Sequence, residues 1–138
     1  MVANYTIEFQ TRKEDEIVDL TGRVAAIIAD GELVRGSALI FVPGATGGVS
    51  TIEYEPGLIE DFPSLMSRLI PADRAYRHDQ TWQDGNGHSH LRASLIGPSL
   101  IVPFDEKRLM LGTWQQIVFF EFDNKPHRRR LIVQLQGE

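Results

Sequence analysis

The chain has 138 residues, a formal net charge of -5, 42% hydrophobic residues and 24% charged residues, which is typical of one globular domain. The acidic charge argues against a nucleic-acid partner, because binding to phosphates requires a basic surface, and the absence of cysteine excludes disulfides and thiolate metal sites. The N-terminus has no apolar signal-peptide core and no apolar run could cross a bilayer, so we expect a cytoplasmic protein without membrane contacts.

The first elements are a strand and a helix. Tyr5, Ile7 and Phe9 alternate with polar residues, which predicts a half-buried strand. Apolar residues then recur at helical spacing over 12–29, after the pattern of a capping box that begins at Thr11. The sequence therefore predicts a helix across 12–29.

A buried strand and a second helix follow. Residues 36–44 are continuously apolar, as in a strand buried on both faces. The stretch from 44 to 57 starts like a loop and continues like a strand. Residues 57–71 have the apolar spacing of a helix, in which Pro63 predicts a kink or a break into two short helices.

The second half of the chain is rich in predicted strands. Five runs separated by turn residues predict them, namely 88–97, 99–104, 108–112, 115–122 and 128–137. Two helices on a mainly antiparallel sheet or sandwich make this an α+β pattern. With no repeat or linker, residues 1–138 are interpreted as a single domain.

Three of the four histidines lie between positions 78 and 90. If 88–97 is a strand, His88 and His90 point to the same face and could reach one metal ion. The glycines before them would let the chain fold back and add His78, which predicts an open metal site with three imidazoles, suited to Zn²⁺. The alternative is a pair of surface histidines on an edge strand.

Residues around the histidines carry their own alternatives. Asp79 and Asp84 could orient the imidazoles or could cap turns, and turn capping is the better interpretation of Asp84, which precedes a glycine. Asn86 lies in the same segment and is a candidate substrate contact. Trp82 could form the floor of a pocket or pack beneath the loop. His127 follows a proline in a turn and is expected to be exposed to solvent.

A glycine-rich loop and an arginine run could bind an anion. The loop at 44–48 offers backbone N–H groups and Thr46, although it fits neither of the common nucleotide-binding patterns. In the run at 128–130, alternation places Arg128 and Arg130 on one face and Arg129 on the other. A guanidinium suits phosphate, and the alternative is a salt bridge at a charged strand end.

The chain resembles the YjbQ-like family, whose members are commonly named secondary thiamine-phosphate synthase. The resemblance is carried by YRHDQTWQDGNGHSHLRASLIGPSLIVP from position 76, LMLGTWQQIVFFEF from position 109 and RRRLIVQLQGE from position 128. Gly-Thr-Trp-Gln at 112–115 is its most specific part. FVPGATGGVSTIEYEPGLIEDF from position 41 resembles the preceding block, so the resemblance covers nearly the whole chain.

The resemblance implies an α+β domain that forms a homotrimer, with a metal-binding, histidine-lined pocket near the subunit boundary. Many members carry histidine where this chain has Gly44, and another residue where it has His88. We therefore expect His88 to replace the missing ligand beside His78 and His90.

The resemblance also implies roles for four further residues. Glu53 would be a general base or a metal ligand, against the alternative of an exposed strand residue. Arg130 would contact phosphate. Trp114 and Gln115 would contact the ligand, although Trp114 could equally pack in the core or at the trimer contact.

We expect an enzyme that uses a divalent metal to act on a small phosphorylated metabolite. The resemblance implies thiamine-phosphate formation from a pyrimidine diphosphate and a thiazole phosphate. Three imidazoles, however, fit Zn²⁺ better than the Mg²⁺ that diphosphate chemistry uses. A metal-dependent hydrolase is therefore the alternative enzyme, and a trimer that only binds a metal or small ligand is the alternative outside catalysis.

Overall fold

The apolar runs form eight strands in two antiparallel sheets in this computed structural model, which describes all 138 residues. The strands are β1 (Val2–Gln10), β2 (Ile17–Asp19), β3 (Gly36–Phe41), β4 (Gly47–Ile52), β5 (Ser99–Asp105), β6 (Arg108–Leu109), β7 (Gln116–Glu121) and β8 (Arg128–Gly137). One sheet has the order β1-β8-β3-β5-β6 and the other has the order β2-β7-β4. The predicted α+β class is confirmed.

Four helices complete the single domain. They are α1 (Thr21–Asp30), α2 (Pro56–Leu69), α3 (Arg77–Trp82) and α4 (Gly87–Ile96). The sequence predicted the first two, with different bounds, and missed the other two. None of the four is both long and apolar enough to cross a membrane.

Strand β7 lies between two hydrophobic clusters. Phe119 packs with β1, β8 and α1 in the main core, whereas Phe120 packs with Met66 of α2 and Ala93 of α4 in a smaller one. Successive strand side chains point to opposite faces, so β7 contributes to both. Burying one such phenylalanine contributes about 1.5–3 kcal/mol.

The helix predicted over 12–29 is wrong in its first half. Residues 17–19 pair with β7 as strand β2, and the helix begins only at Thr21. Thr11 caps no helix, because its buried hydroxyl donates to Glu121 Oε2 at 2.8 Å. Asp15 adopts a left-handed conformation with a φ of 69°, which interrupts any helix there.

The strand predicted over 88–97 is also wrong, since these residues form helix α4. The buried residues of α4 are Gly87, His88, Ser89, Arg92 and Ala93, and the last four of them share one helical face. Because most of them are small or polar, the buried face leaves no apolar period in the sequence, and the alternation of His88 and His90 was misleading.

Two smaller expectations also differ. Pro63 lies inside one continuous helix of 14 residues rather than between two short ones. The strand expected at 108–112 is reduced to the two residues of β6.

Candidate functional site

Helices α3 and α4 bring two of the three clustered histidines together. His78 lies in the first turn of α3 and His90 in the first turn of α4. Their ring centroids are 4.2 Å apart, with 36° between the ring planes. The predicted proximity of His78 to the later histidines therefore applies to His90.

The contact between the two helix starts depends on a glycine and a carboxylate. Asp79 accepts hydrogen bonds from the N–H of Gly87 at 2.9 Å and from the N–H of Tyr76 at 3.2 Å. A Cβ atom at position 87 would stand 2.6 Å from Tyr76 Cβ, which is impossible without a shift. Glycine at 87 therefore permits the approach that places His90 beside His78.

The donor set beside the histidines includes a carboxylate. Nδ1 of His78 is buried and has no hydrogen-bond partner, and Asp84 Oδ1 lies 3.9 Å from it. Donor atoms of His78, Asp79 and Asp84 all lie within 4.8 Å of one another. Since both oxygens of Asp79 already accept backbone hydrogen bonds, Asp84 is the carboxylate free to bind a ligand or metal.

The environment of His90 favours its neutral form. Burial, and then the nearby His78, lower the pKa of His90 below its usual value. A neutral imidazole is the form that binds a metal ion. His90 is therefore in the form that can bind a metal ion, but the donor atoms of His78, His90 and Asp84 do not all lie within 4.8 Å of one another, so a shared ion requires a small movement of these side chains.

His88 faces away from this pair. Residues two apart on a helix are about 200° apart around its axis, and His88 Nε2 contacts Glu14 Oε1 at 2.5 Å. Arg92, also buried, reaches Asp15 in the same loop. The structure therefore uses His88 to hold the loop before β2 against α4, and does not bring it to His78 and His90.

Asp123 and His127 lie beneath the histidine segment, and sequence reasoning missed this pair. His127 Nε2 contacts Asp123 Oδ2 at 2.5 Å, and Asn86 Nδ2 donates to Asp123 Oδ1 at 3.3 Å. Burial acts to raise the pKa of Asp123, but hydrogen bonds from His127, Asn86 and Asn124 outweigh it and lower the pKa. An ionised Asp123 thus fixes Asn86, whose Oδ1 has no partner.

The glycine-rich loop lies over a buried ion pair. Thr46, one of the predicted ligand contacts, is buried and accepts a hydrogen bond from Arg129 Nη2 at 2.9 Å. Arg129 is paired with Glu121, which is fully buried. Gly44, Ala45, Gly47 and His90 are among the residues that line a 230 Å³ cavity, so the loop and His90 share one cavity.

Glu53, Trp114 and Gln115 lie at the other end of the three-stranded sheet. Gly47 pairs with Glu121 near the histidines, whereas Ile52 pairs with Gln116. Five residues of strand span about 17 Å. Within one chain, the structure therefore does not bring Glu53 to the histidines.

These three residues have different environments. Glu53 is exposed and makes no ion pair, and the Trp114 side chain is 74% exposed. Gln115 is held by Thr51, to which its Nε2 donates at 3.1 Å. Of the alternatives for Trp114, the core position is wrong, and the roles as a ligand contact or a trimer contact stay predictions.

Arg130 lies on the outer face of the five-stranded sheet. It is exposed and its Nε lies 3.9 Å from Glu8 Oε1. It lines a 760 Å³ concavity with Asn4, Tyr5 and other residues of β1 and β8. Arg129 points to the opposite face, so the arginine that reaches the loop beside the histidines is Arg129.

The model of the family described as UPF0047 protein YjbQ-like matches residues 5–138. A UPF0047 protein of Archaeoglobus fulgidus is 39% identical over 127 residues, which cover 92% of this chain and 96% of that protein. The UPF0047 protein YugU of Bacillus subtilis is 33% identical over 134 residues, covering 96% and 98% of the two chains.

Solved structures agree with the sequence matches. A YbjQ-like protein of unknown function from Sulfolobus solfataricus superposes with a TM-score of 0.89 at 30% identity, covering 100% of both chains. A hypothetical protein from Aeropyrum pernix gives a TM-score of 0.85 at 32% identity, covering 97% of this chain and 99% of that one. The chain belongs to the UPF0047 YjbQ-like family.

Proposed function

We propose that this family member binds a divalent metal through His78, His90 and Asp84 and uses it to act on a small phosphorylated molecule. One observation carries the proposal. Two imidazoles lie 4.2 Å apart, centroid to centroid, next to a free carboxylate, and one of them buries an unpaired Nδ1. Leaving a buried polar atom unpaired is costly, and a metal ion would satisfy it.

The donor types favour zinc or another borderline metal. Two imidazoles and one carboxylate form the protein set of several catalytic zinc sites, which keep a further position open. Mg²⁺ prefers oxygen ligands. When bound, such a metal supplies Lewis acidity that polarises a phosphoryl oxygen and activates water.

The chain's own residues would prepare the rest of the site. Asp123 holds Asn86 in place, so that Asn86 Oδ1 remains free to accept a hydrogen bond from a ligand. Ser89 Oγ is also buried without a partner. These two atoms and His78 Nδ1 are the three buried side-chain atoms of the molecule that lack a hydrogen-bond partner, and all three lie in one twelve-residue segment.

We propose further that the chain forms a homotrimer in which the neighbouring copy supplies Glu53, Trp114 and Gln115. These residues lie too far from the histidines within one chain, and Trp114 exposes most of its indole. A second copy would cover that surface and could bring Glu53 to the site as a general base. Light scattering should give three times the mass of the chain, and a stable monomer at micromolar concentration would contradict this.

The donor set favours hydrolysis over thiamine-phosphate formation. Displacement of diphosphate generally uses Mg²⁺ held by carboxylates, whereas the best-placed groups here are two imidazoles. We therefore propose a metal-dependent hydrolase of a small phosphate compound. Thiamine-phosphate synthesis becomes the preferred reaction only if Mg²⁺ binds better than Zn²⁺.

Calorimetric titration of metal-free protein with Zn²⁺ tests the site. Loss of an outer partner of a metal ligand costs about 10–100-fold in affinity, so His78→Ala and His90→Ala should each cost at least about a hundredfold. His88→Gln is the matched control and should bind Zn²⁺ like the wild type, since His88 faces Glu14. Equal zinc affinity in all four proteins would overturn the proposal.

A further inference from the structure

We infer that Arg129 and the loop at Gly44 form an oxyanion site that takes the phosphoryl group of the ligand. This inference rests on the proposed function for the metal beside it. It assigns the anion to the inward-facing arginine of the run at 128–130 and not to Arg130.

Arg129 is held rigidly and has one nitrogen to spare. Its side chain is 9% exposed. Nε donates to Glu121 Oε2 at 2.9 Å, and Nη2 donates to Thr46 Oγ1 at 2.9 Å and to Glu121 Oε1. Nη1 donates to no group of the protein, so a buried guanidinium keeps two N–H donors unused.

The unused nitrogen faces open space at Gly44. A Cβ atom at this position would lie 3.5 Å from Arg129 Nη1, and no other atom outside the neighbouring residues would be within 4 Å. Gly44 has a φ of 144°, which L side chains rarely adopt. The backbone conformation thus keeps the space in front of the guanidinium empty.

This space adjoins His90. Gly44 and His90 line the same 230 Å³ cavity. In addition, the backbone N–H groups of Gly44, Ala45 and Thr46 donate to no backbone acceptor. Successive free N–H groups in a loop favour anions, so the loop adds donors to those of Arg129.

Charge balance predicts that the anion binds together with the metal. The charge of Arg129 is matched by Glu121, and Asp123 adds a further negative charge nearby. An oxyanion would therefore be held by hydrogen bonds with little net attraction until a divalent cation is present. Because the donors are already fixed by Glu121 and Thr46, little ordering is required on binding.

The test is calorimetric titration of inorganic phosphate into protein loaded with stoichiometric Zn²⁺, and into metal-free protein. Arg129→Lys keeps the charge opposite Glu121 but removes Nη1, and should weaken phosphate binding at least tenfold. Gly44→Ala places a methyl group 3.5 Å from Nη1 and strains the loop, whose φ is 144° at this residue, so it should have the same effect. Arg130→Lys is the matched control and should bind like the wild type. A parallel titration with acetate shows whether the site binds a carboxylate as tightly as it binds phosphate.

Two results would overturn the inference: no phosphate binding by the zinc-loaded wild type, or binding that Arg130→Lys weakens and Arg129→Lys does not. The titrations also distinguish a failure of the proposed metal site from a failure of the oxyanion site. If Zn²⁺ does not bind but metal-free protein binds phosphate in an Arg129-dependent way, the oxyanion site stands without the proposed function. If metal-free protein binds none either, both are refuted.

Discussion

The two ends of the three-stranded sheet differ in what they leave unsatisfied. At the histidine end, which comprises His78, Asp84, Asn86, His90 and the loop at 44–47, polar atoms are buried without partners. At the tryptophan end, which comprises Glu53, Trp114 and Gln115, the polar groups are solvated or paired and an indole is exposed. Buried unpaired donors and acceptors indicate a small polar ligand. The exposed indole does not distinguish the two ends, because Trp82 in the histidine segment is 71% exposed and does not pack beneath its loop.

The residues expected in one pocket lie at two separate ends of the sheet. Glu53, Trp114 and the histidines belong to one family pattern, and such a pattern carries no information about the distances between its residues. In the structure, β4 and β7 run the length of the sheet between them. A site made of both ends therefore requires two copies of the chain.

The largest expected difference between the ends concerns buried charge. Glu121→Gln removes the partner of Arg129 at the histidine end and leaves a buried cation, which should cost about 3 kcal/mol of unfolding free energy. The same exchange at the tryptophan end, Glu53→Gln, should leave the midpoint of urea unfolding unchanged. Urea titrations of both variants and the wild type measure this.

A small effect of Glu121→Gln would show that the buried pair is dispensable. It would also weaken the argument that Arg129 is held rigidly for a ligand. Circular dichroism of each variant before titration checks that both start from the folded state.

The contact between the starts of α3 and α4 should have the next largest effect. Gly87→Ala places a Cβ 2.6 Å from Tyr76 Cβ, and such overpacking should cost about 1–3 kcal/mol. It should also lower zinc affinity, because His90 moves away from His78. Gly22→Ala is the matched control in α1, where a Cβ meets no atom within 4 Å. A Gly87→Ala variant that binds Zn²⁺ as tightly as the wild type would separate the helix contact from the site.

Sequence reasoning succeeded where burial follows the apolar period. Strand β1 alternates as predicted, with Ile7 buried between partly buried Tyr5 and Phe9. It failed for α4, whose buried face is small and polar. The sequence nevertheless contains a signal for the ion pair of Glu121 and Arg129. Glu121 interrupts an apolar run, and the alternation of β8 places Arg129 on its inward face. A charged side chain at either position requires a buried partner of opposite charge.

The tryptophan end should respond in assembly and not in metal binding. Trp114→Ala removes an exposed indole, so it should shift the proposed trimer toward monomers in sedimentation velocity at micromolar concentration. Zinc affinity should remain within about threefold, since the proposed ligands come from one chain, and a threefold change is under 1 kcal/mol. If zinc binding fell together with assembly, a residue of the second copy would have to be a ligand.

The smallest expected effect is a pH dependence at the histidine end. Hydrogen bonds lower the pKa of Asp123 in the folded state, against the effect of burial, while the unfolded chain keeps the ordinary value of about 3.9. Below that value the unfolded state binds the proton more readily, so the stabilisation is complete above about pH 4 and is lost as the pH falls through the folded pKa. The wild type should therefore lose unfolding free energy more steeply than Asp123→Asn as the pH decreases from about 5 to 3.

Asp30→Asn is the matched control for this comparison, because Asp30 is exposed and makes no ion pair. Its stability should follow the wild-type curve over the same pH range. If Asp123→Asn also followed the wild-type curve at every pH, the hydrogen bonds from His127, Asn86 and Asn124 would not favour the ionised carboxylate. Asn86 would then lack the charged partner that holds its free Oδ1 toward a ligand. The contrast between the histidine end and the tryptophan end of the sheet would rest on the histidines alone.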